Sequence, residues 1–382
     1  MRTVPLGEVA TIERSGVDPS TLPPSTAYLG LEHIERGGRI IGRSSVAEAE
    51  LASTKFRFSA DHLLFGKLRP NLGKISRPDF EGVCSTDILP IRPGRDLDKD
   101  YLAHFLSQPS MVGFAASRTS GANLPRLSPT VLTTFPIPLP PLPEQRRIAA
   151  ILDHADALRA KRRQVLAHLD ALTQSIFHDM FGSFEWLGEF GSVIASGPTN
   201  GLYRPSSDYG SGAPILRIDG FRPGATLSGS VGWKRLRVDE SELRRYALAP
   251  GDLVINRVNA LSHLGKSALV ATLTEPSVFE SNMMRVRVDP GRARPEFVLA
   301  WLQTPRARHQ ILRKAKKAIN QASINQTDVR SLLIPLPPIE LQRSFSVRVD
   351  RAHAQREVVE TSISADDELF ASLQSRAFRG EL

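Results

Sequence analysis

The chain has 382 residues, 41% of them hydrophobic and 23% charged, and a formal net charge of +9. That composition fits a soluble globular protein of two or three domains and excludes a disordered chain. A lone cysteine, Cys84, excludes a disulfide framework or a cysteine zinc cluster, and no apolar run is long enough to span a membrane.

The N-terminus, Met1-Arg2-Thr3-Val4-Pro5, lacks the apolar core of a signal peptide, so the expected compartment is the cytoplasm. Short apolar runs follow, broken by Gly, Pro, Asn and Asp. Tyr28–Leu31, Leu63–Leu68 and Ile88–Arg92 read as strands, and Tyr101–Gln108 as a short helix. Cys84 reads as a small core residue on a strand.

A proline-rich stop, Ile137-Pro138-Leu139-Pro140-Pro141-Leu142, is followed by Pro143 and the pair Gln145-Arg146, and then by a long segment free of Gly and Pro. Within it Ile148, Ile151, Ala155, Leu158, Arg162, Val165, Leu169, Leu172 and Ile176 alternate spacings of three and four. This is a heptad seam, interrupted by Arg162, and it predicts a coiled-coil helix ending at Gly182. Residues 148–180 would make a rod of roughly 50 Å.

The second half writes the first again. Leu187-Gly188-Glu189 matches Leu6-Gly7-Glu8, Leu253–Arg257 matches Leu63–Lys67, and Leu264-Gly265-Lys266 matches Leu72-Gly73-Lys74. Pro214–Ile218, Leu253–Val258 and Met284–Val288 read as strands, and Phe297–Thr304 as the counterpart of the short helix. The proline stop returns at Ile334-Pro335-Leu336-Pro337-Pro338-Ile339, with Gln342-Arg343 in the place of Gln145-Arg146. A second helical stripe follows at Phe345, Ala352, Val359, Leu369 and Leu373. The offset between copies grows from 181 residues at Leu6/Leu187 to 197 at Ile137/Ile334, so the scaffold is kept while loops differ.

The expected architecture is therefore mixed α/β (α+β). Two similar domains, 1–143 and 183–333, alternate with helices at 144–182 and 334–382 that pair antiparallel as a coiled-coil spacer. Such a spacer between two basic domains suits a ligand with two separated half-sites, such as duplex DNA. Residues 183–333 carry 21 basic and 13 acidic side chains, so most of the positive excess lies there.

No catalytic constellation emerges. Gly265-Lys266-Ser267 resembles the end of a phosphate-binding loop, but Ala260 stands where that loop requires Gly. The Asn/Asp-Pro-Pro-Tyr motif of amino-methyltransferases is missing, Pro78-Asp79 has no nuclease partner residues, and the nine histidines never fall at metal-ligand spacing.

Pro138–Arg147 (Pro-Leu-Pro-Pro-Leu-Pro-Glu-Gln-Arg-Arg), its second copy at 335–343, the long helices and the duplicated domains resemble the specificity subunit of Type I restriction-modification systems. The second copy departs from the pattern, with Glu340-Leu341-Gln342 in place of Pro-Glu-Gln. The resemblance implies a non-catalytic chain whose two target-recognition domains each read one part of a split, asymmetric sequence in double-stranded DNA. It also implies two methyltransferase subunits, which use S-adenosylmethionine, and restriction subunits, which use ATP and Mg, with no cofactor in this chain and no membrane. Two other readings compete: the DNA-recognition part of a single-chain restriction-modification enzyme, and a coiled-coil scaffold without a DNA role.

Candidate DNA contacts follow from the repeat. Lys67, Arg69 and Lys74 in the first copy answer to Arg257, Asn259 and Lys266 in the second, at strand-to-loop exits where cations meet phosphates or guanine edges. Arg313, Lys314, Lys316 and Lys317 form a cationic run next to Asn320 and Asn325, whose amides suit adenine edges. Arg118, Asn123 and Arg126 are its counterpart in the first copy.

Overall fold

The computed structural model describes every residue except Met1, Ala122, Glu185 and Asn320. The chain divides into two compact units: residues 1–163 with 361–382, and residues 164–360. The long helices are Leu142–Phe181, 40 residues, and Ile339–Arg379, 41 residues. Each unit thus combines a globular part with a portion of both.

In unit 1 a four-stranded antiparallel sheet runs in the order Ala10–Ile12, Ile88–Pro93, Leu63–Gly66, Ile75–Ser76. A five-stranded sheet adds Gly16–Val17, Lys55–Phe58, Gly82–Cys84, Ala27–Leu29 and Ser44–Ser45. Leu63, Phe65, Leu89 and Ile91 face a core shared with Tyr101, Leu102 and Phe105 of the helix Lys99–Leu106. Asp98 caps that helix by accepting from the Asp100 and Tyr101 amides. Cys84 is fully buried, as a core strand residue, and burial pushes its thiol up to about 12.

Unit 2 repeats the plan. Its main sheet runs Ile194–Asn200, Met283–Val288, Asp252–Asn256, Ser267–Val270, Ala225–Leu227. Leu253, Ile255, Met284 and Val286 pack on Phe297, Val298 and Trp301 of the helix Pro295–Leu302. In both units the segment before the long helix pairs with an early strand: Pro136–Pro138 with Thr3–Pro5, and Leu333–Pro335 with Leu187–Glu189. The expected strands and short helices lie within a few residues of those observed, since short apolar runs ended by Gly, Pro, Asn and Asp mark them.

Each proline stop is locked by one buried amide. Gln145 Nε2 donates to Pro140 O (2.8 Å) and Asp96 O (2.9 Å), while its Oε1 accepts from Asp98 N (2.9 Å). Gln342 does the same with Pro337 O (2.9 Å), Arg292 O (3.2 Å) and Arg294 N (2.9 Å). Both side chains are fully buried. They fix the direction in which each helix leaves its globular part, because the carbonyls they hold belong to the proline loop and to the entry of the preceding helix.

The helices pair antiparallel within each unit. In unit 1 Arg147 donates to Leu382 O, and Arg159 and Arg163 both reach Asp367. In unit 2 Arg356 reaches Asp170, while Phe177 and Phe181 pack on Phe345 and Phe297. Ile148 is buried, Ile151, Leu169 and Ile176 are half-buried, and so are Val359 and Leu373 on the second helix, where Phe345 is buried.

The expected seam needs a correction, however. Leu158, Val165 and Leu172 are exposed (44%, 46% and 38%), as is Leu369 (56%). Leu152, Arg159, Leu166 and Thr173, one position further along, turn inward instead. The reason is the partner face. Asp366 and Asp367 present carboxylates to Arg162, Arg159 and Arg163, and Phe370 offers its ring to Arg159 at 4.3 Å. Ion pairs and cation–π stacking, with the arginine stems covering apolar surface, replace the leucine column read from spacing.

Candidate nucleic-acid interface

Unit 2 extends a short three-stranded finger beside its main sheet, and unit 1 has a smaller counterpart held by single bridges. In unit 2, Val258–Asn259 pairs with Ala322–Ser323, which pairs with Lys316–Lys317. Ile324, buried, anchors the base by donating its amide to Arg257 O at 2.9 Å. The Ala318 amide closes the tip on Gln321 O at 2.7 Å. Unit 1 builds the same object from bridges: Leu68 pairs with Arg126, and Arg126 with Ser120. Here the buried Leu127 donates to Lys67 O at 2.9 Å.

The finger brings some candidates together. Arg257 and Asn259 on one strand and Lys316 and Lys317 on another share one small sheet. Lys316 and Lys317 are exposed and form no ion pair among the described residues, so their charges are available to an external anion. Arg313 is exposed and Lys314 half-buried at the end of the helix Pro305–Lys314. The cationic run is therefore part helix and part strand, a division that a two-residue strand does not announce in sequence.

Other candidates have partners within the fold. Arg257 is half-buried and donates to Ser281 O at 3.2 Å, while Asn259 Oδ1 accepts from the Ala260 amide at 2.8 Å. Arg126 holds Asp87 with two hydrogen bonds (3.0 and 3.4 Å), and Lys67 Nζ lies 3.9 Å from the same carboxylate. Arg118 stacks over Phe114, 3.4 Å from the ring centre, and donates to Phe114 O. Arg69 and Asn123 are exposed, Arg69 in a left-handed conformation (φ 49°, ψ 60°) just before Pro70.

Three expectations shift. Lys74 and Lys266 turn inward: Lys74 Nζ donates to Leu31 O at 2.7 Å, and Lys266 Nζ to Ile218 O and to Phe221 O (3.0 Å). Burial pushes the Lys266 ammonium below its ordinary pKa. Asn325 caps the helix Gln326–Arg330, its side chain accepting from Asp328 N while Asp328 answers on Asn325 N. The Asn-x-x-Asp spacing is a capping-box pattern readable in the sequence. Asn320 lies outside the described residues.

Among the described residues no group of histidine, cysteine, aspartate and glutamate is placed to hold a metal ion, and no helix is long and apolar enough to cross a membrane.

Residues 1–168 match the family of the Type I restriction modification DNA specificity domain. Beyond that segment the chain is similar to Type I restriction-modification specificity subunits, a family whose catalytic activities are carried by partner subunits. It is 28% identical over 317 residues to the EcoKI specificity subunit of Escherichia coli strain K12, an alignment covering 76% of this chain and 67% of that protein. With the EcoDI specificity subunit of Escherichia coli it shares 30% identity over 203 residues, 51% of this chain and 44% of that one. In fold it is similar to a Type I restriction-modification structure described for complex assembly and conformational transition (TM-score 0.62, 20% identity, 100% of this chain and 98% of that one). The S subunit from M. genitalium is another such neighbour, with a TM-score of 0.61, 12% identity and coverage of 99% and 96%.

Proposed function

We propose that this chain reads a bipartite, asymmetric sequence in double-stranded DNA, one half-site per globular domain (1–143 and 183–333). In this reading the helices at 144–182 and 334–382 set the spacing and dock two methyltransferase subunits, with restriction subunits joining for cleavage. S-adenosylmethionine, ATP and Mg belong to those partners. One observation carries the reading: the same backbone-anchored finger is built in both units, bearing different side chains on the same scaffold. A repeated frame with divergent tips is what two different half-sites require. Lys316 and Lys317, without an ion-pair partner among the described residues, add a site for phosphate. Leu158 in unit 1 and Val165 and Leu172 in unit 2, all exposed, offer apolar contacts to partner subunits.

The test is single-molecule sequencing of DNA methylated by the chain assembled with its methyltransferase subunits. A split adenine-methylated motif is expected. Exchanging residues 183–333 for those of a relative should alter one half of that motif and leave the other unchanged. Alteration of both halves, or methylation without a split motif, would overturn the proposal.

A further inference from the structure

Among the described residues Ile319 is the most exposed large apolar side chain, entirely open to solvent at the tip of the unit 2 finger. Single exposed aliphatics are common on protein surfaces and need no explanation by themselves. Two further facts set this one apart. The unit 1 finger also carries an exposed aliphatic near its tip, Leu124 at 46%, although the surrounding sequences differ. The strand leading to Ile319 holds Lys316 and Lys317, exposed and without an acidic partner among the described residues.

We propose that Ile319 is an apolar wedge that presses between neighbouring base pairs, with Leu124 the matching wedge of unit 1. This rests on the reading of the chain as a DNA-binding subunit. The paired strands Lys316–Lys317 and Ala322–Ser323, which lead to the tip, make a two-stranded ribbon at the edge of the finger, and such a ribbon is narrow enough to enter a groove of duplex DNA. Aliphatic side chains carried into a groove by cationic elements unstack base steps and kink the duplex. The lysines supply attraction to phosphate, which reads no sequence; the isoleucine supplies contact with the bases, whose cost depends on how readily a given step unstacks. Ile319 would thus contribute specificity through deformability rather than through hydrogen bonds. The anchoring end of the finger is suited to this, because buried Ile324 and Leu127 fix the base against the sheet while the tip stays clear of the core.

The experiment uses the full chain assembled with its methyltransferase subunits, on duplexes carrying the methylated motif with 2-aminopurine placed at successive base steps. The wild-type complex should raise the fluorescence at one step within each half-site. Ile319→Ser should abolish the rise in one half-site only, weaken specific binding about tenfold and relax the sequence preference at that step alone. Leu124→Ser should do the same in the other half-site. Replacing Lys316 and Lys317 by Gln should lower the salt dependence of binding while keeping the fluorescence rise. Specific binding without a rise at any step, or a rise that survives Ile319→Ser, overturns the wedge and leaves the DNA-binding reading standing. Loss of the methyltransferase subunit from the Ile319→Ser complex would instead make the tip a protein contact. Failure of the wild-type complex to bind DNA at all would sink the parent reading.

Discussion

Lys74 and Lys266 hold the same station in their respective units. Each ends a Leu-Gly-Lys turn, and each turns its ammonium onto the backbone carbonyl of a preceding segment, Leu31 O in one case and Ile218 O in the other. Lys266 also donates to Phe221 O at 3.0 Å and lies 4.4 Å from the Phe221 ring centre. The positive charge is spent on holding a loop to the sheet, and this separates two lysines that look like phosphate ligands from those that are free to act as such.

Lys266→Met should therefore destabilise unit 2 by about 1–3 kcal/mol, since two carbonyls lose their donor in a half-buried site. The salt dependence of DNA binding should stay as in the wild type. Denaturant titration and binding isotherms at several salt concentrations separate the two effects. A salt slope that falls by about one unit would return Lys266 to the phosphate-binding class.

The opposite result is expected for the finger. Converting Lys314, Lys316 and Lys317 together to Gln should leave the melting temperature nearly unchanged. The log–log salt slope of binding should fall by roughly 0.9 for each phosphate that is left without its lysine. Unchanged slope with unchanged affinity would assign these lysines to a solvated surface.

Asp153 ties the first long helix to the unit 1 body, with Oδ1 2.8 Å from His104 Nε2 and 2.7 Å from Arg77 Nη1. Burial alone would raise its pKa, but the hydrogen bonds to His104 and Arg77 outweigh that and hold it below the ordinary range. A carboxyl depressed by folding stabilises the native state above its unfolded pKa of about 3.9, and that contribution is lost as pH falls through the folded value. The carboxylate is partly exposed, so screening keeps the effect near about 1 kcal/mol at neutral pH. Asp153→Asn should lower stability by that amount at pH 7 and shrink the difference from wild type on acidification below about pH 4. A constant difference across that range would show that the loss is one of packing.

Gln145→Leu should cost about 3 kcal/mol or more, because the Asp96 and Pro140 carbonyls and the Asp98 amide all lose a buried partner. Its effect should appear in the thermal or denaturant transition of the whole chain. A loss below about 1 kcal/mol would mean that water replaces the amide.

If the paired helices set the half-site spacing, shortening both should shorten it. Deleting 159–162 together with 364–367, which stand opposite in unit 1, removes about 6 Å of helix. At about 3.4 Å per base pair the methylated motif should lose one or two unread positions while its half-sites stay the same. An active complex with the original spacing would exclude the helices as the ruler.

Much of this architecture is written in the chain. The repeated proline stops, the matched Leu-Gly-Lys turns and the short apolar runs announce two copies of one α/β unit, because strands buried on both faces read as continuous apolar stretches. The inward face of the helices was not legible to one residue. Leu158, Val165 and Leu172 form the more apolar column, and only the Asp367 carboxylate and the Phe370 ring on the other helix draw Arg159 inward in place of Leu158. The fingers were hidden as well. Two-residue strands at Lys316–Lys317 and Ala322–Ser323 exist through their pairing, and pairing across sequence leaves no local signature. Ile319 carried no signal beyond being an isoleucine among lysines and amides.

The lock at each helix entry touches only main-chain atoms of its neighbours. Gln145 holds the carbonyl of Asp96 and the amide of Asp98; Gln342 holds the carbonyl of Arg292 and the amide of Arg294. Acidic side chains in one unit and basic ones in the other leave the same three bonds intact. A joint of this kind is indifferent to the residues it grips, so the globular parts are free to drift in sequence, and even to reverse local charge, without changing the angle at which the helix departs. Divergence of the two halves costs the frame nothing, which makes this fold well placed to acquire new targets by mutation of its surface alone.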